Sequence, residues 1–302
     1  PKPLREKLTR ISSLKTLKYI TSQVSSSTGT SKYIFETKDG NKIESVLIPE
    51  SKRNTICIST QVGCPLDCKF CATGLMGFKK NLSAGEIFDQ YKLAAKYNKD
   101  KKITNIVYMG MGEPLLNFIE TIKSLKIFSD ELTTGITPRR ITLSTAGIAP
   151  KIKELADIGI KVKLALSLHS CFEDVRSKIM PVNKKYSLKE NVEAIKYYTN
   201  KSRTKITFEY VMLKDINDRK EDINALTKLC RSLPGKVNII PFNSLEHMNP
   251  EGVSAKLLPS SVDRINNFVN ELKSNGITVM LRNTQGDDIA AACGQLATKN
   301  QR

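Results

Sequence analysis

From residue 55 onward, short apolar runs rich in valine and isoleucine alternate with longer stretches in which apolar residues recur every three to four positions. This is the alternation of strand and amphipathic helix. The runs predict strands over 55–62, 103–109, 140–145, 161–168, 205–213 and 236–241, with a weaker one at 277–282. The longer stretches predict helices over 83–97, 115–130, 149–157, 187–200, 217–231 and 259–275. Strand and helix taken in turn argue for parallel βα units rather than a meander. Six or so such units are too few to close an eight-stranded barrel. The expected fold is therefore α/β, a partial TIM barrel, with its active site at the C-terminal ends of the strands.

Ahead of residue 50 the pattern changes to a period of two. Two alternating runs, 32–37 and 42–48, flank Asp39-Gly40-Asn41 and predict a β-hairpin. Residues 1–30 read as basic and polar, and 25–31 as a Ser/Thr/Gly turn or linker. The expected organisation is a basic segment and hairpin over 1–50, followed by a catalytic barrel over 51–302.

Composition narrows the partners. Of 302 residues, 40% are hydrophobic and 26% charged, an ordinary globular balance. Forty-eight Lys and Arg against 30 Asp and Glu leave a net charge of +18, which favours a polyanion such as RNA or DNA. No apolar run reaches the roughly 20 residues that span a bilayer, and the first residues carry no signal-peptide core. A soluble, cytoplasmic protein without membrane contact is expected, and its seven cysteines are then ligands or catalysts before they are structural disulfides.

The densest chemistry is Cys64-Pro-Leu-Asp-Cys68-Lys-Phe-Cys71, three cysteines spaced C-x3-C-x2-C just after the first barrel strand. Soft sulfur ligands favour an iron–sulfur cluster, zinc or Cu(I). No fourth cysteine or histidine lies nearby in the sequence. Structural zinc takes four protein ligands, whereas a 4Fe–4S cube held by three cysteines keeps one iron open to a substrate or cofactor. Three unrelated buried thiols, or zinc with a distant fourth ligand, are the competing readings.

Gly110-Met-Gly112-Glu113-Pro114 follows the second barrel strand. Paired glycines let a backbone come close to a ligand and Glu113 can accept from an ammonium, although a tight turn explains Gly-x-Gly as well. Ser144, Ser167, His169 and Asn243 stand at the ends of later strands. Taken singly, His169 reads as a satisfied core histidine and Cys293 as a small buried hydrophobe.

Together these residues carry a resemblance. The cysteine spacing, with Phe70 before the third cysteine, resembles the radical S-adenosylmethionine superfamily. Gly-Met-Gly-Glu-Pro, Leu-Ser-Thr (143–145), Leu-Ser-Leu-His (166–169), Pro-Phe-Asn (241–243) and Ala-Ala-Cys-Gly-Gln-Leu (291–296) make the sequence similar to the RNA adenine carbon-2 methyltransferases, from about residue 30 to the end. That family usually carries a small helical domain ahead of this point, expected here to be short or missing.

The resemblance implies two cofactors and a set of roles. Cys64, Cys68 and Cys71 would hold a 4Fe–4S cluster, whose open iron chelates S-adenosylmethionine. Gly112 and Glu113 would hold the methionine amino group; Ser144, Ser167, Leu168, His169 and Asn243 would contact the rest of the cofactor. Cys293 would carry the methyl group, Cys57 would resolve it through a disulfide with Cys293, and Glu44 would be the base. The implied substrates are 23S ribosomal RNA and the transfer-RNA adenine 3′ of the anticodon, with a flavodoxin or ferredoxin as electron donor and the enzyme a monomer. Cys171 and Cys230 match no functional position and read as structural. Two alternatives stay open: a carbon-8 adenine methyltransferase of the antibiotic-resistance type, and a non-catalytic RNA-binding iron–sulfur protein. Gly286-Asp-Asp288 resembles the carbon-2 enzymes more closely.

Overall fold

A computed structural model of the chain describes residues 1–11, 15–98 and 102–298. Twelve strands lie among them: β1 Leu17–Val24, β2 Ser31–Thr37, β3 Lys42–Pro49, β4 Asn54–Cys57, β5 Gln61–Gly63, β6 Phe78–Asn81, β7 Asn105–Tyr108, β8 Ile141–Thr145, β9 Lys163–Ser167, β10 Ile206–Met212, β11 Gly235–Pro241 and β12 Val279–Leu281. The helices are α1 Lys2–Ile11, α2 Ala72–Leu75, α3 Ala84–Tyr97, α4 Phe118–Ser129, α5 Ala149–Ile158, α6 Glu173–Ile179, α7 Leu188–Ser202, α8 Lys220–Ser232, α9 Gly252–Ala255 and α10 Val262–Ser274. Capping boxes at Ser83/Glu86 and Ser187/Glu190 start α3 and α7 within a residue of where the periodicity placed them. No helix among the described residues is long and apolar enough to cross a membrane.

Ten strands form one sheet in the order β1-β2-β3-β4-β7-β8-β9-β10-β11-β12. From β4 to β12 the pairings are parallel, and no pairing joins β12 to β1 among the described residues. This is the expected partial barrel. The hairpin β2–β3 also forms as expected and continues the sheet antiparallel to β4, with Val46 opposite Cys57.

Two expectations need correction. Residues 17–24, read as a basic polar segment, are a strand paired antiparallel with β2; Leu17 is buried, but most of the strand alternates too weakly to announce itself. The strand expected over 55–62 is two. Its chain leaves the sheet after Cys57, where Ser59 N–H donates to Gln90 Oε1 and Ser59 Oγ to the Glu44 carbonyl, and β5 then pairs with β6 in a separate hairpin.

The strands are two-faced. Ile56, Leu143, Leu164, Phe208 and Ile239 are buried in the core and stay out of the barrel's cavity. Their neighbours, among them Thr55, Asn105, Thr142, Thr207 and Asn238, turn into the barrel, where they line a cavity. TIM barrels ordinarily fill this space with bulky branched side chains. Here the polar alternation leaves it open.

Candidate active site

Cys64, Cys68 and Cys71 occupy the loop between β5 and α2. Tight backbone contacts shape it: a Cβ at Gly63 would lie 1.8 Å from the Gly77 carbonyl oxygen, and one at Gly74 would lie 3.0 Å from the Cys68 backbone. Cys64 N–H donates to that Gly77 carbonyl and Cys71 N–H to the Cys68 carbonyl, folding the three thiols toward one side. All three line a pocket with about 920 Å³ of empty space, open to solvent. Gly112, Glu113, Ser144, Ser167, His169, Asn243 and Cys293 share its wall. Leu168 does not; its side chain is fully buried, its N–H donates to the Glu209 carbonyl and its carbonyl accepts from Arg176.

The glycines of the 110–114 segment are there for backbone packing as well as for a ligand. A Cβ at Gly110 would stand 2.6 Å from the Ile58 carbonyl, and one at Gly112, where φ is +97°, 2.5 Å from Gln61. Glu113 follows, buried, accepting from Ala146 N–H at 2.7 Å and Leu115 N–H at 3.0 Å. Burial outweighs these bonds and raises its pKa to about 7. A cationic ligand in the pocket would pull it back down.

His169 sits in the left-handed region at φ 55° with its ring edge-on to Phe70, centroids 4.4 Å apart. Its Nδ1 accepts from Val211 N–H at 2.9 Å, so Nε2 carries the proton as a donor. Burial, then the Arg176 charge, drives its pKa down to about 3, and the imidazole is neutral. Arg176, fully buried on α6, ties the strand ends together: its guanidinium donates to the carbonyls of Ala146, Ser167 and Leu168 and to Asn183 Oδ1.

Cys293 reaches this pocket because the C-terminal segment is stitched across it. Ala72 N–H donates to the Gly294 carbonyl at 2.7 Å, Thr73 Oγ1 to the Leu296 carbonyl at 2.6 Å, and Asn243 Nδ2 to the Cys293 carbonyl at 3.0 Å. Cys57, buried on β4, lies near enough to Cys293 and Arg282 to feel both: burial pushes its thiol up to about 12, Cys293 adds to the rise, and Arg282 opposes it. Cys293 is raised by burial and lowered by the same arginine. The expected disulfide is not present, since all seven cysteines are free. Cys171 and Cys230 stand apart from the pocket wall.

Glu44 is placed differently from Cys293. It lines a neighbouring cleft that shares Phe242 and Asn243 with the main pocket. Its carboxylate accepts from Ala297 N–H at 3.1 Å and faces Lys32 Nζ at 3.7 Å. Burial raises its pKa to about 7, against the pull of Lys32 and Ala297.

Comparison with known proteins gives this geometry a family. Residues 58–227 match the Radical SAM superfamily. The probable dual-specificity RNA methyltransferase RlmN of Dictyoglomus turgidum is 44% identical over 98% of this chain and 83% of its own length. The protein so named from Clostridium beijerinckii is 46% identical over 98% of this chain and 82% of its own. The chain belongs to the RlmN family of radical SAM methyltransferases. A crystal structure of a radical SAM methyltransferase from Sphaerobacter thermophilus superposes with a TM-score of 0.92 at 40% identity, covering 98% of this chain and 85% of that one.

The cofactors of this superfamily are a 4Fe–4S cluster and S-adenosylmethionine, and the RlmN-type pocket fits them. Its three cysteines are free thiols on one wall. Among the described residues no three His, Cys, Asp or Glu side chains converge on a single metal ion; a four-iron cube takes each thiolate at a separate corner and needs no such convergence. Burial pushes all three thiols up, Cys64 to about 12, so ionising them takes a positive partner, which the iron of a bound cluster would provide. The carboxyl of Glu113 and the Nε2 proton of His169 suit the ammonium and polar groups of the second cofactor.

The family motifs did not announce Arg176, Arg282 or Glu209. Arg176 lies in an ordinary amphipathic segment, Glu-Asp-Val-Arg-Ser-Lys-Ile, and nothing local sets it apart. Glu209 carried a weak signal, a carboxylate inside an otherwise apolar strand, Ile-Thr-Phe-Glu-Tyr-Val-Met.

Proposed function

We propose that the chain methylates carbon 2 of an adenine in 23S ribosomal RNA and of the adenine 3′ of the anticodon in transfer RNA, working in the cytoplasm as a monomer reduced by a flavodoxin or ferredoxin. One observation carries the reading: Cys293, more than two hundred residues from the cysteine loop in sequence, stands on the wall of the pocket that Cys64, Cys68 and Cys71 line, and Cys57 on β4 is close enough to feel its charge. Carbon 2 lies between two ring nitrogens and is electron-poor, so it does not attack a methyl sulfonium directly. A carbon radical can add there.

In this reading Cys64, Cys68 and Cys71 hold the cluster, and Gly112, Glu113, Ser144, Ser167, His169 and Asn243 hold S-adenosylmethionine. When bound, these cofactors supply a 5′-deoxyadenosyl radical by reductive cleavage. Cys293 Sγ takes a methyl group from a first S-adenosylmethionine and presents it to the adenine. The 5′-deoxyadenosyl radical would take a hydrogen atom from the Cys293 methyl, and the carbon so activated would join adenine carbon 2 as the ring proton passes to a base such as Glu44 and the odd electron returns to the reducing partner. The Cys57 thiolate then attacks Cys293 Sγ, the S–S bond forming as the S–C bond breaks and the freed carbon taking a proton to become the methyl group. Arg282, beside both thiols, favours their thiolate forms. The elevated pKa of Glu44 supports its use as the base, and its bond to Ala297 supports a part in holding the Cys293 segment. Leu168, with both backbone groups engaged, serves the pocket by holding its wall.

The test is the pair Cys57→Ala and Cys293→Ala, incubated anaerobically with labelled RNA. Cys57→Ala should carry the methyl on Cys293 and accumulate a covalent protein–RNA adduct, seen on a denaturing gel and located by mass spectrometry. Cys293→Ala should form none. Normal release of methyladenosine by Cys57→Ala, or an adduct on another residue, would overturn these roles. NMR of the released nucleoside separates carbon 2 from carbon 8.

A further inference from the structure

A wide basin with no assigned role lies at the opposite end of the barrel from the cysteine loop. It holds about 2640 Å³ of empty space, open to solvent, and runs inward from the N-terminal ends of the parallel strands to Met109 and Glu209, which also line the main pocket. Its rim is basic because a cation precedes or opens nearly every strand: Arg139 and Arg140 before β8, Lys161 and Lys163 at β9, Arg203 and Lys205 before β10, and Lys236 in β11. None of these seven makes an ion pair among the described residues. Arg53, also on the rim, is tied to Glu50. Glu209, deeper in the basin, attracts Lys236, but one buried carboxylate does not offset seven cations that face one concavity without an ion pair and repel one another. A polyanion would offset that repulsion.

Cys293 connects this basin to the cofactor pocket. It lines a small cavity of about 290 Å³ with Arg282, Gln285 and Ile48, and those three also line the basin. Its other side faces the main pocket. A sulfur that first receives a methyl group and then delivers it must meet cofactor and base in turn, and a position between two cavities allows both. The other cleft reaching this region is poorly suited to phosphates: Lys32, Lys42 and His247 share it with Glu44, Glu246, Asp287 and Asp288.

We infer that RNA enters the barrel through the mouth at the N-terminal ends of the strands, its phosphates on this ring of lysines and arginines and its adenine reaching Cys293 from the side opposite S-adenosylmethionine. The inference rests on the RNA methyltransferase reading above. Inner-face residues such as Thr55, Asn105, Thr142, Thr207 and Asn238 then supply neutral hydrogen-bonding groups for an unstacked, single-stranded loop.

The experiment uses cluster-loaded protein with three ring positions reversed together, Lys161→Glu, Arg203→Glu and Lys205→Glu. The control carries the same charge change on exposed helix positions away from the basin, Lys126→Glu, Lys189→Glu and Lys228→Glu. Transfer-RNA affinity is measured between about 50 and 200 mM salt. The ring variant should bind at least about tenfold more weakly than the control, and its log–log salt slope should fall by about 2, three contacts at about 0.7 each. Both variants should still methylate Cys293 from S-adenosylmethionine without RNA, read by mass spectrometry, which shows that the pocket is intact. Equal affinity and slope in ring variant and control, with the unaltered enzyme methylating RNA normally, would overturn the route and leave the function standing. Unchanged RNA affinity with slower reduction by flavodoxin would make the ring a dock for an acidic redox protein, which also overturns it. If the unaltered enzyme neither binds nor methylates RNA, the functional reading itself falls, and this inference with it.

Discussion

Replacing Arg176 with methionine should destabilise the protein and loosen the cofactor pocket together. The arginine is fully buried and donates to four acceptors: the Ala146 carbonyl at 2.6 Å, the Ser167 and Leu168 carbonyls at 3.1 Å each, and Asn183 Oδ1 at 2.5 Å. Methionine keeps much of the apolar stem and removes every donor. Each buried acceptor left unpaired costs about 1–3 kcal/mol. Against this, burial already holds the Arg176 pKa down to about 10, which means that the charge itself is paid for in the native state, and water entering the vacated space satisfies some of the carbonyls. The net loss should be about 3–5 kcal/mol, the range for removing one partner of a buried charged network. Urea unfolding of the metal-free protein measures it. Because the three carbonyls belong to the β8 and β9 ends that carry Ser144, Ser167 and His169, affinity for S-adenosylmethionine in cluster-loaded protein should fall as well, with Arg176→Lys intermediate in both. A loss below about 1 kcal/mol would refute the energetic argument; a large loss with unchanged cofactor affinity would refute the positioning role.

Gly112→Ala should cost stability and cofactor binding, since its Cβ would stand 2.5 Å from Gln61 and its φ of +97° disfavours any side chain; a variant that unfolds at the same urea concentration as the parent would show that the loop yields. Glu44 supplies a pH test. Its folded pKa of about 7 lies above the ordinary 4.5, so between those values the folded state holds more protons than the unfolded state, and this group's contribution to stability falls as pH rises. Glu44→Gln should therefore flatten the decline in stability across that window, and identical slopes for variant and parent would show that Glu44 is already ionised there.

The barrel itself was legible in the chain because its signals are local. The helix over 149–157 appears as α5 Ala149–Ile158, and the strand over 205–213 as β10 Ile206–Met212, because three-to-four-residue periodicity, serine caps and β-branched runs act over one or two turns of chain. The cysteine motif was legible for the same reason, with three thiols on a single short loop. Tertiary structure decided everything that joins distant segments. That Cys293 reaches the pocket of the cysteine loop depends on the C-terminal segment crossing that loop, through bonds such as Ala72 N–H to Gly294 and Thr73 Oγ1 to Leu296, between residues with no pattern of their own. That Glu44 faces a separate cleft depends on which side of β3 meets residue 297. The break after Cys57 depends on Gln90, a helix residue that takes a backbone bond which the strand would otherwise have kept. The basic rim shows the same division: each lysine or arginine before a strand reads in sequence as ordinary solvated charge, and only parallel pairing, which brings every strand's N-terminal end to one mouth, makes the separate charges into one field.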